Sequence, residues 1–71
     1  MMDGAKIGFI GAGQMAEAIA RSLLAAGQCA AGEMIASDVA EPRRRLFESL
    51  GIRAVEDNVG LLREARTVVV A

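Results

Sequence analysis

Gly11-Ala12-Gly13-Gln14-Met15-Ala16 is the segment whose residue types and spacing are best suited to chemistry. It fits the pattern G-x-G-x-x-G/A. Gly11 suits a tight strand-to-helix turn. Gly13 lacks a side chain, which lets backbone approach a pyrophosphate, and Ala16 is small enough for a helix to pack closely on a strand. A helix opening here would turn its free N–H groups and positive dipole end toward phosphates. The pattern alone is weak, because glycine turns are common. It gains weight from its setting, directly after a strand and at the start of a helix in a βαβ unit of the expected size. A dinucleotide site is therefore favoured over a glycine turn that binds nothing. Gln14 has two readings, as a lining residue of the diphosphate or nicotinamide or as a bystander. Met15 either fills a gap between helix and sheet or joins the cofactor site.

A second group follows at Ser37-Asp38. In dinucleotide folds an acidic residue at the end of the second strand takes a ribose 2′-hydroxyl, as in NAD. A small polar residue with arginines nearby accommodates a 2′-phosphate, as in NADP. Both signals are present. Asp38 lies about 22 residues past Ala16, near the usual spacing of about 20. Arg43-Arg44-Arg45 decides between them. Cations early in a helix oppose its dipole, at about a few tenths of a kcal/mol each, and a nearby anion would offset that cost. The alternative is a solvated charged face. NADP(H) is favoured over NAD(H), with Arg43 carried forward as the phosphate contact. Asn58 is expected to cap a helix and also to face the adenine end.

Other chemistries are poorly supplied. The chain has no histidine and one cysteine, Cys29, so an intramolecular disulfide is excluded and no cysteine cluster exists for metal. Cys29 reads as a small packing residue, and the composition fits a reducing cytoplasm. Net charge is −1 and aromatic content 3%, which argues against nucleic-acid or membrane partners. No apolar run approaches the roughly 20 residues that span a bilayer.

These residues must be positioned by an α/β framework. Hydrophobic residues form 54% of the 71 positions, mostly Ala, Val, Ile, Leu and Met. Met1–Ala5 reads as a frayed start. Lys6–Ile10 is a buried strand, and Ala16, Ile19, Ala20, Leu23 and Leu24 mark the inner stripe of a first helix ended by Gly27. Gln28–Glu33 is a connection. Met34–Ala36 is a second strand ending at Ser37-Asp38. Pro42 suits the first turn of a second helix, with Leu46, Phe47 and Leu50 inward and Gly51 as its cap. Ile52–Val55 is a third strand, and a third helix turns Leu61, Leu62 and Ala65 inward. Thr67–Ala71 is a fourth strand. Strict alternation with short connections predicts right-handed crossovers and a Rossmann-type parallel sheet in the order 3-2-1-4.

The run Ile7-Gly8-Phe9-Ile10-Gly11-Ala12-Gly13-Gln14-Met15-Ala16-Glu17-Ala18-Ile19 resembles the start of pyrroline-5-carboxylate reductases. Met15 paired with Ala16 is more specific than the general fingerprint, since related β-hydroxyacid dehydrogenases usually carry Gly at the third position. The resemblance continues through Ala36-Ser37-Asp38, Leu50-Gly51-Ile52 and Asp57-Asn58, and covers essentially the whole chain after residue 5. It implies an amino-terminal Rossmann domain, a carboxy-terminal helical dimerisation domain, and hydride transfer from NAD(P)H to the ring C=N of pyrroline-5-carboxylate, giving proline. It places Ser37 and Asn58 at the adenosine 2′-phosphate end and the glycine loop on the diphosphate.

The departure is length. The sequence stops at Ala71, before the Val-Lys-Pro-like loop that lies near the nicotinamide in that family. Residues 1–71 are thus expected to be a dinucleotide-binding half-domain, truncated after the fourth strand. The small-molecule substrate and the catalytic residues would belong to the absent domain, and this piece alone should be inactive. The fourth strand would present an apolar, uncharged edge that invites self-association. Two other readings remain open: another dehydrogenase of the superfamily, of hydroxyacid or prephenate type, and a nucleotide-sensing module without a substrate domain.

Overall fold

The computed structural model describes residues 6–70. The expected frayed start at residues 1–5 and the last residue of the expected fourth strand, Ala71, lie outside them. Four strands alternate with three α-helices: β1 (Ile7–Ile10), α1 (Gln14–Ala25), β2 (Met34–Ser37), α2 (Glu41–Ser49), β3 (Arg53–Val55), α3 (Asn58–Glu64) and β4 (Thr67–Val70). A short 3-10 turn, Ala31–Glu33, sits in the connection before β2. The strands form one parallel sheet in the order β3-β2-β1-β4, as the alternation predicts. Register is fixed by pairs such as Phe9 with Ala36 and with Val69.

Period-two alternation along the strands divides the core between two faces. Phe9, Met34 and Ala36 pack with Ala16 and Ala20 of α1 and Phe47 of α2. Phe9 meets Phe47 edge to face at 6.4 Å between centroids, a favoured aromatic geometry. Ala12, Ala16 and Ala20 are fully buried, and their lack of bulk lets α1 lie close on the sheet. On the opposite face Ile35 packs with Leu61 of α3, flanked by Ile10, Val55 and Ala65. Fully burying a side chain such as Leu61 contributes roughly 1.5–3 kcal/mol.

Gly27 and Gly51 follow their helices at φ +70° and +85°, the left-handed conformation that suits glycine. Cys29 is half-buried against the first core face, in keeping with a packing role. One expectation and one of the two readings of Met15 fail. Leu62 does not face inward; it is 56% exposed. A helix as short as α3 turns only a narrow stripe to the sheet, and Leu61 and Ala65 fill it. Nor does Met15 fill a gap between helix and sheet, because it is 67% exposed on the first turn of α1. Among the described residues β4 hydrogen-bonds to β1 alone and forms one edge of the sheet, with Val70 77% exposed.

Candidate functional site

The carboxyl ends of β1, β2 and β3 converge on one edge of the sheet, the edge where open α/β sheets receive ligands. A cleft of about 440 Å³ opens there, lined by Gly11, Ser37, Asp38, Val39, Glu56, Asp57 and Asn58. That volume falls in the range of small-molecule sites. Four of the residues singled out in the sequence therefore line this cleft: Gly11, Ser37, Asp38 and Asn58.

Gly11 follows β1 at φ 97°, a conformation that L side chains rarely adopt. Its N–H donates to the Ser37 carbonyl at 2.9 Å, tying the turn to β2. Gly13 is the N-cap of α1 at φ −82° and ψ −170°, with no side chain to cap the helix. A Cβ placed on Gly13 would meet no atom within 4 Å. Neither backbone conformation nor packing within the chain requires glycine at position 13. Gln14 and Met15 are exposed on the first turn that follows, and Ala12 is buried.

Ser37 is buried at the end of β2, and its hydroxyl donates to Asn58 Oδ1. Asn58 does not cap α3. The N-cap is Asp57, whose Oδ1 accepts the Val59 N–H at 3.0 Å. The expectation was displaced by one residue because Asp and Asn cap equally well, and the pairing with Ser37 claims the Asn58 amide oxygen.

Asp38 is committed to the backbone. Its Oδ2 accepts the Ala12 N–H at 3.0 Å and its Oδ1 accepts the Ala40 N–H at 2.8 Å. The Ala40 and Ala12 hydrogen bonds, aided by Arg43 and Arg44, hold the carboxyl below the usual Asp range.

The three arginines have different fates. Arg43 is not among the residues lining the cleft. Its Nε donates to the Ala12 carbonyl at 2.6 Å and its Nη2 to Glu17 Oε1 at 3.0 Å. Arg44, also not among the lining residues, donates through Nη1 to the carbonyls of Asp38 and Val39, which do line the cleft, both at 2.9 Å. Arg45 pairs with Glu41 one turn away on α2.

Sequence reasoning missed four participants. Glu56 and Asp57 line the cleft, so it carries three carboxylates with Asp38. Val39 also lines it and is 85% exposed. An apolar residue directly after the polar end of a strand was the available signal. Glu17 is the fourth, visible only as a charge off the buried stripe of α1. Arg21 and Arg43 hold its carboxyl low. Among the described residues no group of His, Cys, Asp and Glu is arranged to hold a metal ion, and no helix is long and apolar enough to cross a membrane.

With this geometry in hand, the likenesses to known proteins become specific. A family described as NADP oxidoreductase, coenzyme F420-dependent, matches residues 6–71. The chain is 37% identical over 71 residues to pyrroline-5-carboxylate reductase 3 of Mus musculus, covering 100% of this chain and 26% of that protein. It is 41% identical over 71 residues to the pyrroline-5-carboxylate reductase of Methanosarcina acetivorans, covering 99% and 26%. The enzyme of the same name from Pisum sativum is 35% identical over 69 residues, covering 97% and 25%. The chain thus spans about a quarter of the length of these curated relatives.

Proposed function

Because the chain belongs to the NADP oxidoreductase, coenzyme F420-dependent, family, we propose that it is the nicotinamide-dinucleotide-binding portion of a pyrroline-5-carboxylate reductase. The observation that carries this reading is Gly13. Its backbone is ordinary and the space beside it is open, so the glycine is explained by a ligand that approaches the main chain there. The diphosphate would rest on residues 11–15 at the amino end of α1, where free N–H groups and the helix dipole favour an anion. The adenosine end would occupy the cleft, with Ser37 and Asn58 on one wall and Val39 offering an apolar surface.

NADP(H) is the preferred cofactor in this reading. The arginine suited to a 2′-phosphate is Arg44, whose guanidinium lies against the Asp38-Val39 segment. NAD(H) is the second reading, and one observation favours it: Asp38, Glu56 and Asp57 surround the cleft with negative charge. In the whole protein the bound nicotinamide would deliver hydride to the ring C=N of pyrroline-5-carboxylate, giving proline. No residue of this chain is assigned to that chemical step.

Thermal stabilisation by 2′,5′-ADP and by 5′-AMP tests the proposal, since a ligand stabilises in proportion to RT ln(1 + [L]/Kd). A larger shift with 2′,5′-ADP supports NADP(H), and a larger shift with 5′-AMP supports NAD(H). No shift with either, nor with either whole dinucleotide, would overturn the site.

A further inference from the structure

We propose that Asp38 and Arg43 are positioning residues that hold the glycine loop from both sides, and that they act on dinucleotide binding through Ala12 and not as ligands of the ribose or of a 2′-phosphate. The inference rests on the dinucleotide reading above. Its basis is the hydrogen bonding of Ala12, the residue between the two loop glycines. The Ala12 N–H is taken by Asp38 Oδ2 at 3.0 Å, and the Ala12 carbonyl by Arg43 Nε at 2.6 Å. The Ala12 side chain is fully buried in the first core face. Backbone donor, backbone acceptor and side chain of this residue are all fixed.

The two clamping groups are themselves fixed. The second carboxylate oxygen of Asp38 accepts the Ala40 N–H at 2.8 Å, which sets the carboxylate orientation. The guanidinium of Arg43 is held at Nη2 by Glu17 at 3.0 Å, and Glu17 lies on α1 just after the loop. Asp38 and Arg43 are 26 and 31 positions beyond Ala12 in sequence. The β2–α2 segment thus grips the β1–α1 turn.

The consequence for binding follows from peptide geometry. A trans peptide is planar, with its C=O and N–H pointing in opposite directions. Turning the Ala12 carbonyl onto Arg43 aims the Gly13 N–H away from Arg43 and sets its direction before any ligand arrives. The clamp acts on the diphosphate cradle, which NAD and NADP share. It does not act on the 2′ position, where they differ.

The test is made in the full-length protein with NAD⁺ and NADP⁺ as ligands. Asp38→Asn and Arg43→Gln should each weaken both dinucleotides by tenfold or more, leaving the ratio of their dissociation constants within about twofold of wild type. Asp38→Glu should not rescue, because the longer arm moves the carboxylate off the Ala12 N–H. A ribose ligand at this position is served by Asp or Glu. A selective loss of NAD⁺ binding in Asp38→Asn, with retention in Asp38→Glu, would make Asp38 a ribose ligand and overturn the proposal. A selective loss of NADP⁺ in Arg43→Gln would overturn it in the same way.

Hydrogen exchange in the ligand-free wild-type protein supplies a reading that needs neither variant to fold nor ligand to bind. The Ala12 amide should exchange slowly, like the β1 amides. Exchange at the rate of an unprotected loop amide overturns the clamp. A wild type that binds neither dinucleotide but protects Ala12 would defeat the functional reading alone.

Discussion

Gly8 of β1 lies so close beneath Leu61 of α3 that a Cβ on the glycine would stand 2.7 Å from Leu61 Cδ2 and 2.8 Å from the Ala65 Cβ. This approach brings α3 onto the sheet and sets Asn58, at its first turn, beside Ser37. The site thus depends on a glycine outside the phosphate-binding pattern.

Gly8→Ala should therefore destabilise the fold by about 1–3 kcal/mol, the usual cost of overpacking a core. Gly60 sits in the same helix, α3, and a Cβ added to it would have no atom within 4 Å, so Gly60→Ala should stabilise by roughly 0.5–1 kcal/mol. Urea unfolding of both variants checks the pair, and equal effects would contradict the packing argument.

Gly13→Ala separates binding from folding. Open space and an ordinary φ predict only a small fall in the unfolding midpoint, from the poorer N-capping of Ala. The added methyl should nonetheless weaken dinucleotide binding tenfold or more, about 1.4 kcal/mol. Calorimetric titration beside a thermal melt measures both, and an unaltered affinity would remove the main support for a phosphate at the loop.

The cap of α3 is decided by Asp57, so Asp57→Ala should cost about 1 kcal/mol through loss of the bond to the Val59 N–H. The same substitution removes one of the three carboxylates around the cleft, which should raise affinity for 2′,5′-ADP relative to 5′-AMP. Denaturation and a competition titration read the two effects independently.

Ser37→Ala deprives Asn58 Oδ1 of its hydroxyl donor in a part-buried setting, where Ser37 is buried and Asn58 exposed. A loss of about 1 kcal/mol of stability is expected. Asn58→Asp keeps an acceptor for the hydroxyl and should fold well, yet it adds a negative charge to the cleft and should bind 2′,5′-ADP more weakly. Matching affinities in wild type and Asn58→Asp would place the 2′-phosphate elsewhere.

Acid should weaken this fold through its paired carboxylates, modestly because they are solvent-screened. Asp38 is held low chiefly by the Ala40 and Ala12 N–H groups, Glu17 chiefly by Arg21 and then Arg43, and Glu33 chiefly by the Ala30 N–H and then Lys6. A depressed folded-state pKa gives stability that is fully present above the unfolded value, about 4. That stability is lost as pH falls through the folded value. With no histidine in the chain, stability should be flat from about pH 8 to 5 and fall below about pH 4. Circular dichroism across an acid titration tests this, and a transition near pH 6 would contradict it. Asp38→Asn should flatten the acid limb.

Much of this architecture was written in the order of residues. Alternation of short apolar runs with helical stripes specified four parallel strands and their order, because short crossovers leave one handedness and few topologies. The turn at Gly11 and the caps at Gly27 and Gly51 followed from what only glycine tolerates well. These are local properties, and a sequence carries them directly. Side-chain partnership was not local. Asp38 is a candidate cofactor contact from its spacing and Arg43 from its place in a run of arginines; the fold bonds both to Ala12 and keeps Asp38 in the lining of the cleft. Asn58 read both as a cap and as a residue of the adenine end; Asp57 takes the cap and Asn58 bonds Ser37, while Gly8 gave no signal of its role beneath Leu61. Each of those outcomes depends on which atoms meet across 20 or more positions, at separations of about 3 Å. Only the packed tertiary structure sets distances that fine.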